Sequence, residues 1–186
     1  LNPLHKIGSQ IIEVLREHNP MSKNAAKKRA LELLNEVQIP QPEERLNQYP
    51  HQLSGGQRQR IMIAIAIANK PDLLIADEPT TALDVTIQSQ ILRLLKDLQK
   101  KYGMAIMLIT HDLTVVHKTS DRICVMRYGK IVERVNTEEV FSHPQHEHTT
   151  HLINSEPSVA PAPFDEKNKN YIIAGQTCSV KFILKK

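Results

Sequence analysis

The amino-acid sequence predicts an α/β protein in which a helical subdomain precedes a core built on a mostly parallel sheet. Two apolar runs, Leu73–Ala76 and Met104–Ile109, have the length and composition of buried strands. Between them lies an amphipathic helix that begins near Asp84 and stops at Gly103, after Lys100 and Lys101. A strand, a helix and a second strand in this order indicate a right-handed crossover that joins parallel neighbours.

Two helices are predicted before this crossover. The range Ser9–Glu17 suits a short amphipathic helix, and Ser22 can cap a second helix. Pro40 and Pro42 end the second helix, and a polar loop is expected from there to Leu53. Apolar residues recur at helical spacing along the second helix at Ala30, Leu31, Leu33, Leu34 and Val37.

The segment from Ser54 to Asn69 leaves two interpretations open on periodicity alone. Isoleucine occupies every second position from Ile61 to Ile67, as it would in a strand. The Gln/Arg-rich residues that lead into this run, and the alanines within it, instead favour a buried helix. We predict the helix.

A hairpin is predicted after the crossover. Two strand-like ranges, Ile123–Arg127 and Lys130–Val135, are joined around Tyr128 and Gly129. A short helical tail is expected to follow, and it is succeeded by a segment rich in Pro, Ala and charged residues that is typical of a linker. The range Tyr171–Leu184 is apolar and strand-like again.

Composition narrows the class of protein. Hydrophobic residues make up 40% of the 186 residues and charged residues 24%, as in a globular protein. The longest apolar run, Ile61–Ala68, is far shorter than the roughly 20 residues of a membrane helix. Cys124 and Cys178 have no metal-ligand spacing and favour a reducing compartment, which predicts the cytosol. The net charge is +4, but its basic residues are scattered, so no nucleic acid is expected as a partner.

Polar side chains follow both strands of the crossover. Asp77 and Glu78 end the first, and Thr110 and His111 end the second. Ligands of open parallel sheets bind at the carboxyl ends of the strands. One acid can hold Mg²⁺ through water, the second can polarise an attacking water, and the histidine can contact a terminal phosphate. The pattern favours phosphoryl transfer to water; the alternative is that strand ends are simply polar.

A glycine pair precedes the predicted buried helix. In the run from Ser54 to Gln57, Gly55 and Gly56 can bring backbone N–H groups close to an oxyanion, and the following helix points its positive end there. Ser54 adds a hydroxyl donor. Taken alone, a Ser-Gly-Gly run is more typical of a flexible turn, so this anion site depends on its context.

Four short motifs occur in a fixed order: LSGGQ at Leu53–Gln57, LLIADEP at Leu73–Pro79, ALD at Ala82–Asp84, and His111. In order and spacing they resemble the signature, Walker B, D-loop and switch-histidine motifs of the ABC-transporter ATPase family. A narrower resemblance covers Leu1 to about Glu156 and is to the ATPases of bacterial oligopeptide and dipeptide importers, including the microcin C type.

The resemblance implies a function and a role for each motif. ATP hydrolysis would energise the transport of peptides or related solutes, with ATP held between two cassettes. Asp77 would coordinate Mg²⁺ through water, Glu78 would be the general base, and His111 would sense the γ-phosphate. Asp84 would cross the interface between cassettes. The γ-phosphate held by the partner cassette would be contacted by Ser54, Gly55, Gly56 and Gln57.

The resemblance also implies partners and a location. The partners would be transmembrane permease subunits and a second ATPase cassette, in a homo-, hetero- or intramolecular dimer. The location would be peripheral, at the cytoplasmic face of the inner or plasma membrane.

The sequence departs from the family at the phosphate-binding loop. No G-x-x-x-x-G-K-[ST] occurs, since the only glycines are Gly8, Gly55, Gly56, Gly103, Gly129 and Gly175. In the family this loop and the Q-loop glutamine lie upstream. We therefore expect a partial ABC ATPase cassette that lacks the amino-terminal phosphate-binding half and neither binds ATP tightly nor hydrolyses it alone.

A division into five regions follows from the motifs. They are a helical signature subdomain (1–58), the carboxyl-terminal part of the ATPase core (59–142), a helical tail (143–156), a linker (157–170) and the start of a second cassette (171–186). The alternative for the last region is a closing strand or terminus of a single-cassette protein.

Two rival functions are open at this point. A soluble ABC-family ATPase acting on DNA or ribosomes would share the signature and Walker B motifs, but the importer-like segment Leu1–Gln52 disfavours it. A metal-binding module could be built on the histidines of the tail, which fall at His143, His146, His148 and His151. Related importers have a similar His-Pro tail, which favours solvated side chains over ligands.

Overall fold

The computed structural model describes residues 1–155 and 180–183 of the chain. They fall into two compact units. The first unit comprises Leu1–Leu74 and Pro79–Ala105, and the second comprises Ile75–Glu78 and the described residues from Ile106 onward. Within these described ranges, no helix is both long enough and apolar enough to cross a membrane.

The first unit opens with the two predicted helices, α1 (Ile7–His18) and α2 (Lys23–Glu36). The cap predicted for α2 is confirmed, because Ser22 Oγ accepts a hydrogen bond of 3.2 Å from the backbone N–H of Ala25. Helix α2 ends before the two prolines, as expected. The large side chains that the two helices bury completely, or almost so, are Ile7, Ile11, Leu15, Leu33 and Leu34.

The stretch predicted as a polar loop contains a short helix, α3 (Pro42–Arg45), and one turn of 3₁₀ helix at Pro50–Gln52. Proline suits the first position of a helix because its fixed φ is helical and its missing N–H would have no partner there. Glu43 and Glu44 also lie in the first turn of α3, at its positive end. Pro42 thus starts a helix, whereas the sequence predicted only that it ends one.

Two longer helices complete the first unit. The ambiguous isoleucine run is helical, in α4 (Gly55–Ile67), so that prediction is confirmed. Helix α5 (Val85–Tyr102) begins at Asp84, whose Oδ1 accepts a 2.9 Å hydrogen bond from the N–H of Ile87. Gly103 ends α5 with a φ of 64°, the left-handed conformation that glycine adopts without steric cost.

A polar network joins α2 to the end of α5. Glu36 accepts hydrogen bonds from Arg29 Nη1 at 2.9 Å, from Lys101 Nζ at 3.2 Å and from the hydroxyl of Tyr102. Arg29 also donates to the Tyr102 hydroxyl at 3.0 Å. Burial acts to raise the pKa of Glu36, but these hydrogen bonds outweigh it and lower the pKa below its ordinary 4.5.

The sheet contains five described strands in the order β1-β2-β5-β3-β4. Their bounds are Leu73–Asp77 (β1), Ala105–Thr110 (β2), Arg122–Arg127 (β3), Lys130–Asn136 (β4) and Val180–Ile183 (β5). At one end the N–H of Ala105 donates to Asp72 O, and at the other the N–H of Glu78 donates to Ile109 O, both at 2.8 Å. This order of contacts makes β1 and β2 parallel neighbours, as predicted.

Strand β5 lies between β2 and β3 and is antiparallel to both. Met107 of β2 pairs with Ile183, and Ile123 of β3 pairs with Phe182. Strands β1, β2 and β3 therefore run in one direction, with β1 and β2 as parallel neighbours, whereas the described pairings of β5 and of β4 are antiparallel. The predicted linker, 157–170, and the residues of Tyr171–Leu184 other than β5 lie outside the described residues.

The predicted hairpin and helical tail are both present. Strands β3 and β4 pair antiparallel, and the two turn residues, Tyr128 and Gly129, both have positive φ, at 51° and 76°. Helix α7 (Thr137–Ser142) lies just before the predicted tail, and α8 (Glu147–Asn154) lies within it. A further helix, α6 (Leu113–Thr119), was not predicted.

Candidate functional site

Three of the predicted site residues, Asp77, Glu78 and His111, lie at the carboxyl ends of β1 and β2. We call them the strand-end cluster. Asp77 is the last residue of β1, and Glu78 follows it. His111 directly follows β2. Nδ1 of His111 lies 2.8 Å from Oε1 of Glu78, within hydrogen-bonding distance. The parallel pairing of the two strands thus brings together two side chains that are 33 residues apart in the sequence.

The backbone at Glu78 is strained. Its φ is 47°, in the left-handed region that costs an L-residue roughly 1–2 kcal/mol. The hydrogen bond from the Glu78 N–H to Ile109 O anchors the residue to β2. Strained residues of this kind are common at functional sites, where the surrounding structure holds them in place. The side chains of Glu78 and His111 remain 33% and 68% exposed, so a substrate can reach them.

The strand-end cluster fits Mg²⁺ bound through water better than a metal held by the protein alone. Asp77 is exposed and offers carboxylate oxygens, the ligands that Mg²⁺ prefers. Across residues 1–155 and 180–183, no group of three or more His, Cys, Asp or Glu side chains could hold a metal ion. Mg²⁺ commonly takes one or two carboxylates and completes its shell with water and substrate phosphate.

The predicted anion-binding residues form the first turn of α4, which we call the signature loop (Ser54–Gln57). Ser54 Oγ accepts a 3.2 Å hydrogen bond from the N–H of Gln57, and Gln57 Oε1 accepts one of 3.1 Å from the N–H of Ser54. This reciprocal capping box fixes the loop as a helix start. The N–H groups at the start of a helix have no partner within it and can bind an anion.

Asp84 lies in the same unit as the signature loop. Its carboxylate caps α5 while remaining exposed. A Cβ added at Gly55 would lie 3.4 Å from Cδ2 of Leu83, an ordinary contact distance, so the residue before Asp84 reaches the loop. The signature loop and Asp84 thus belong to the first unit, whereas the strand-end cluster belongs to the second.

The histidine-rich tail is organised by a buried carboxylate. Glu133 accepts hydrogen bonds from the N–H groups of Gln145, at 2.9 Å, and His146, at 3.2 Å. Burial acts to raise the pKa of Glu133, but the hydrogen bonds from Gln145 and His146 help to lower it overall. Nδ1 of His146 accepts the N–H of His148 at 3.0 Å and caps α8. These contacts are structural, and the metal-binding interpretation of the tail gains no support from them.

Two contacts beside the signature loop were not predicted from the sequence. Gly56 packs against Ile87 of α5, and Arg60, which is only 9% exposed, hydrogen-bonds Gln90. The available signal was Arg60 itself, a charged residue at the edge of an apolar helix segment. Nothing in the linear sequence indicated which side chain it would meet.

Comparison with solved structures defines the class of protein. A bacterial ABC transporter cassette, MJ0796, solved as a dimer, superposes with a TM-score of 0.64 at 34% identity over 74% of this chain and 59% of that one. A second structure of MJ0796, in a post-hydrolysis state bound to ADP and Pi, matches equally well, with a TM-score of 0.64. The fold is that of an ABC ATPase cassette, present in part.

Comparison with known sequences gives the family. The family model described as ABC transporter matches residues 4–81. The peptidoglycan transport ATP-binding protein YejF of Agrobacterium fabrum is 54% identical over 100% of this chain and 34% of that protein. The oligopeptide transport ATP-binding protein OppD of Bacillus subtilis is 58% identical over 86% of this chain and 44% of that protein. The chain belongs to the ABC transporter ATPase family.

The chain spans only part of these curated relatives. It covers 34% of the YejF protein and 44% of the OppD protein. The family and the fold are therefore properties of the chain itself, whereas any role in transport would belong to the whole protein.

Proposed function

We propose that the chain is part of the nucleotide-binding subunit of a transporter, in which ATP hydrolysis energises the movement of peptides or related solutes across a membrane. The observation that carries the proposal is the 2.8 Å contact between Glu78 and His111 at the ends of two parallel strands. The Glu78 carboxylate can accept a proton, and the His111 imidazole can hold that carboxylate in position. Both side chains are accessible to solvent.

In the proposed mechanism, each residue of the strand-end cluster has one task. Asp77 would hold Mg²⁺ through the water shell of the ion, and the chemistry supplied there would be neutralisation of phosphate charge. Glu78 orients the attacking water and accepts its proton. His111 keeps the Glu78 carboxylate in place through Nδ1, and it contacts the γ-phosphate.

The signature loop acts in the second half of the site. We propose that Ser54, Gly55, Gly56 and Gln57 contact the γ-phosphate of a nucleotide held by a partner cassette, and that Asp84 lies at the same interface. The capping box supports this role because it fixes the loop as the start of a helix, and the positive end of a helix favours an anion. The lysine and backbone cradle of a phosphate-binding loop would come from residues outside this chain.

The proposed partners are transmembrane permease subunits and a second ATPase cassette, and the proposed location is peripheral, at the cytoplasmic face of the membrane. The names of the relatives refer to peptide or peptidoglycan transport, which favours this function over one on DNA or ribosomes. The five-region division of the chain, with a second cassette starting at 171–186, stays part of the proposal.

The experiment that tests the proposal is Glu78→Gln in the complete protein that contains this chain. The amide cannot accept the proton of the attacking water, so hydrolysis should fall by about 10²–10⁴-fold, the usual loss of a general base, while ATP binding persists. Single-turnover hydrolysis and equilibrium ATP binding measure the two effects separately. Near-normal single-turnover hydrolysis would mean that Glu78 is not the base.

A further inference from the structure

The first turns of α4 and α5 meet along a small contact surface, the α4–α5 seam, made by Gly56 and Arg60 of α4 with Ile87 and Gln90 of α5. All four residues belong to the first unit. The two helices start at the two segments that the proposed function places at the nucleotide, since Ser54 caps α4 and Asp84 caps α5. Any shift along the seam therefore moves the signature loop relative to Asp84.

The first contact of the seam leaves no room for a side chain on α4. A Cβ added at Gly56 would lie 2.8 Å from Cγ2 of Ile87, closer than side chains approach without a shift. Isoleucine in a helix is restricted to one strongly preferred χ1 rotamer, so Cγ2 does not rotate away at low cost. The backbone of the signature loop is thus set directly against the branched carbon of Ile87.

The second contact is a buried guanidinium with neutral partners. Arg60 Nη2 donates to Gln90 Oε1 at 3.2 Å, and Nη1 donates to Val37 O at 3.0 Å and to Gln38 Oε1 at 3.2 Å. Burial lowers the pKa of Arg60. A buried charge is costly unless it is hydrogen-bonded. Gln90 Oε1 therefore ties α4 to α5, and Val37 O and Gln38 Oε1 tie α4 to the end of α2.

We propose that the α4–α5 seam positions the signature loop relative to Asp84, and that Ile87 and Gln90 are positioning residues for the nucleotide site. The proposal rests on the proposed function. Neither residue needs to touch the nucleotide. Their effect is on the geometry of the completed site, so it falls on the rate of hydrolysis and not on the first binding of ATP by the rest of the cassette.

The test at Gln90 compares two substitutions in the complete protein. Gln90→Leu keeps the shape but removes the acceptor, and should lower kcat for ATP about tenfold, within the ~10²-fold that a misplacement of about 1 Å can cost. The ATP dissociation constant should stay within about twofold, because the seam does not form the first binding site. Gln90→Glu keeps an oxygen for Arg60 and should retain the wild-type kcat. An unchanged kcat in Gln90→Leu, or an equal loss in both variants, would overturn the proposal.

The test at Gly56 measures packing at the α4–α5 seam through thermal stability and does not depend on catalysis. Gly56→Ala should lower the Tm because its Cβ meets Cγ2 of Ile87. Adding Ile87→Leu removes that branch and should restore most of the lost Tm, whereas adding Ile87→Val keeps the branch and should restore none. Equal restoration by both would contradict the seam. A wild-type protein that hydrolyses no ATP would refute the proposed function instead, and the Tm comparison would still decide on the seam.

Discussion

The signature loop and the strand-end cluster are held by contacts that differ in how far apart the contacting residues lie in the sequence. In the signature loop, Ser54 and Gln57 satisfy each other across three residues of sequence. In the strand-end cluster, Glu78 and His111 meet across 33 residues, and the sheet must form before they can. The loop is therefore shaped by its own segment, whereas the cluster depends on strand pairing. We expect mutations of long-range contacts to cost more stability than mutations of local ones.

The largest loss of stability is expected for Glu36→Ala. Three donors converge on Glu36, one of them from Tyr102, which is 66 residues away. Removing a half-buried, charged acceptor should cost about 2–3 kcal/mol in the free energy of unfolding. Glu32→Ala is the matched control, because Glu32 is 49% exposed and pairs with Arg29 at i,i+3, so it should cost less than about 0.5 kcal/mol. Urea unfolding of both variants measures the difference in the free energy of unfolding. Equal losses would contradict the expectation that long-range contacts contribute more stability than local ones.

The stabilising effect of Glu36 should also depend on pH. The pKa of Glu36 is lower in the folded protein than its ordinary 4.5, so its contribution is present above pH 4.5 and is lost as the pH falls through the folded value. The stability gap between wild type and Glu36→Ala should therefore narrow in acid. A gap that stays constant from neutral pH to well below 4.5 would contradict this assignment.

A smaller loss is expected for Ser54→Ala, which breaks the local cap. Loss of an N-cap side chain costs about 1 kcal/mol, and the effect should be confined to the first turn of α4. Amide hydrogen exchange should speed up at Gln57, whose N–H bonds Ser54 Oγ, and not in β1 or β2. Ser54→Thr keeps the hydroxyl and should preserve the protection. Faster exchange throughout the sheet would mean that the loop is not held locally.

Much of the fold could be predicted because its signals are local. Caps at Ser22, Ser54 and Asp84, and the left-handed residues at Gly103 and Gly129, each determine structure within a few residues of themselves. Helix α6 escaped prediction because it is one of the shorter helices, covering Leu113–Thr119, and its apolar residues do not extend into a clear periodic run. Its only strong signal was the cap at Asp112, whose Oδ1 accepts from the N–H of Val115 at 3.0 Å.

The candidate site was predicted less completely. The sequence placed Glu78 and His111 at one edge of the sheet, because both follow apolar strands, but only the register of β1 and β2 gives their 2.8 Å contact. The α4–α5 seam was not predicted at all, since which side chains meet between two helices depends on their packing angle. Gly56 was interpreted as an anion-binding residue, and its contact with Ile87 adds a second reason for glycine there.

The central claim is that Glu78 and His111 act together on the nucleotide, and a double-mutant cycle in the complete protein tests it most directly. Single-turnover hydrolysis would be measured for Glu78→Gln, His111→Ala and the double variant, with ATP binding as the control. Residues that act as a unit show non-additive losses. We predict that the double variant is no slower than Glu78→Gln alone. If the two losses multiply, Glu78 and His111 act independently, and the account of their 2.8 Å contact is wrong.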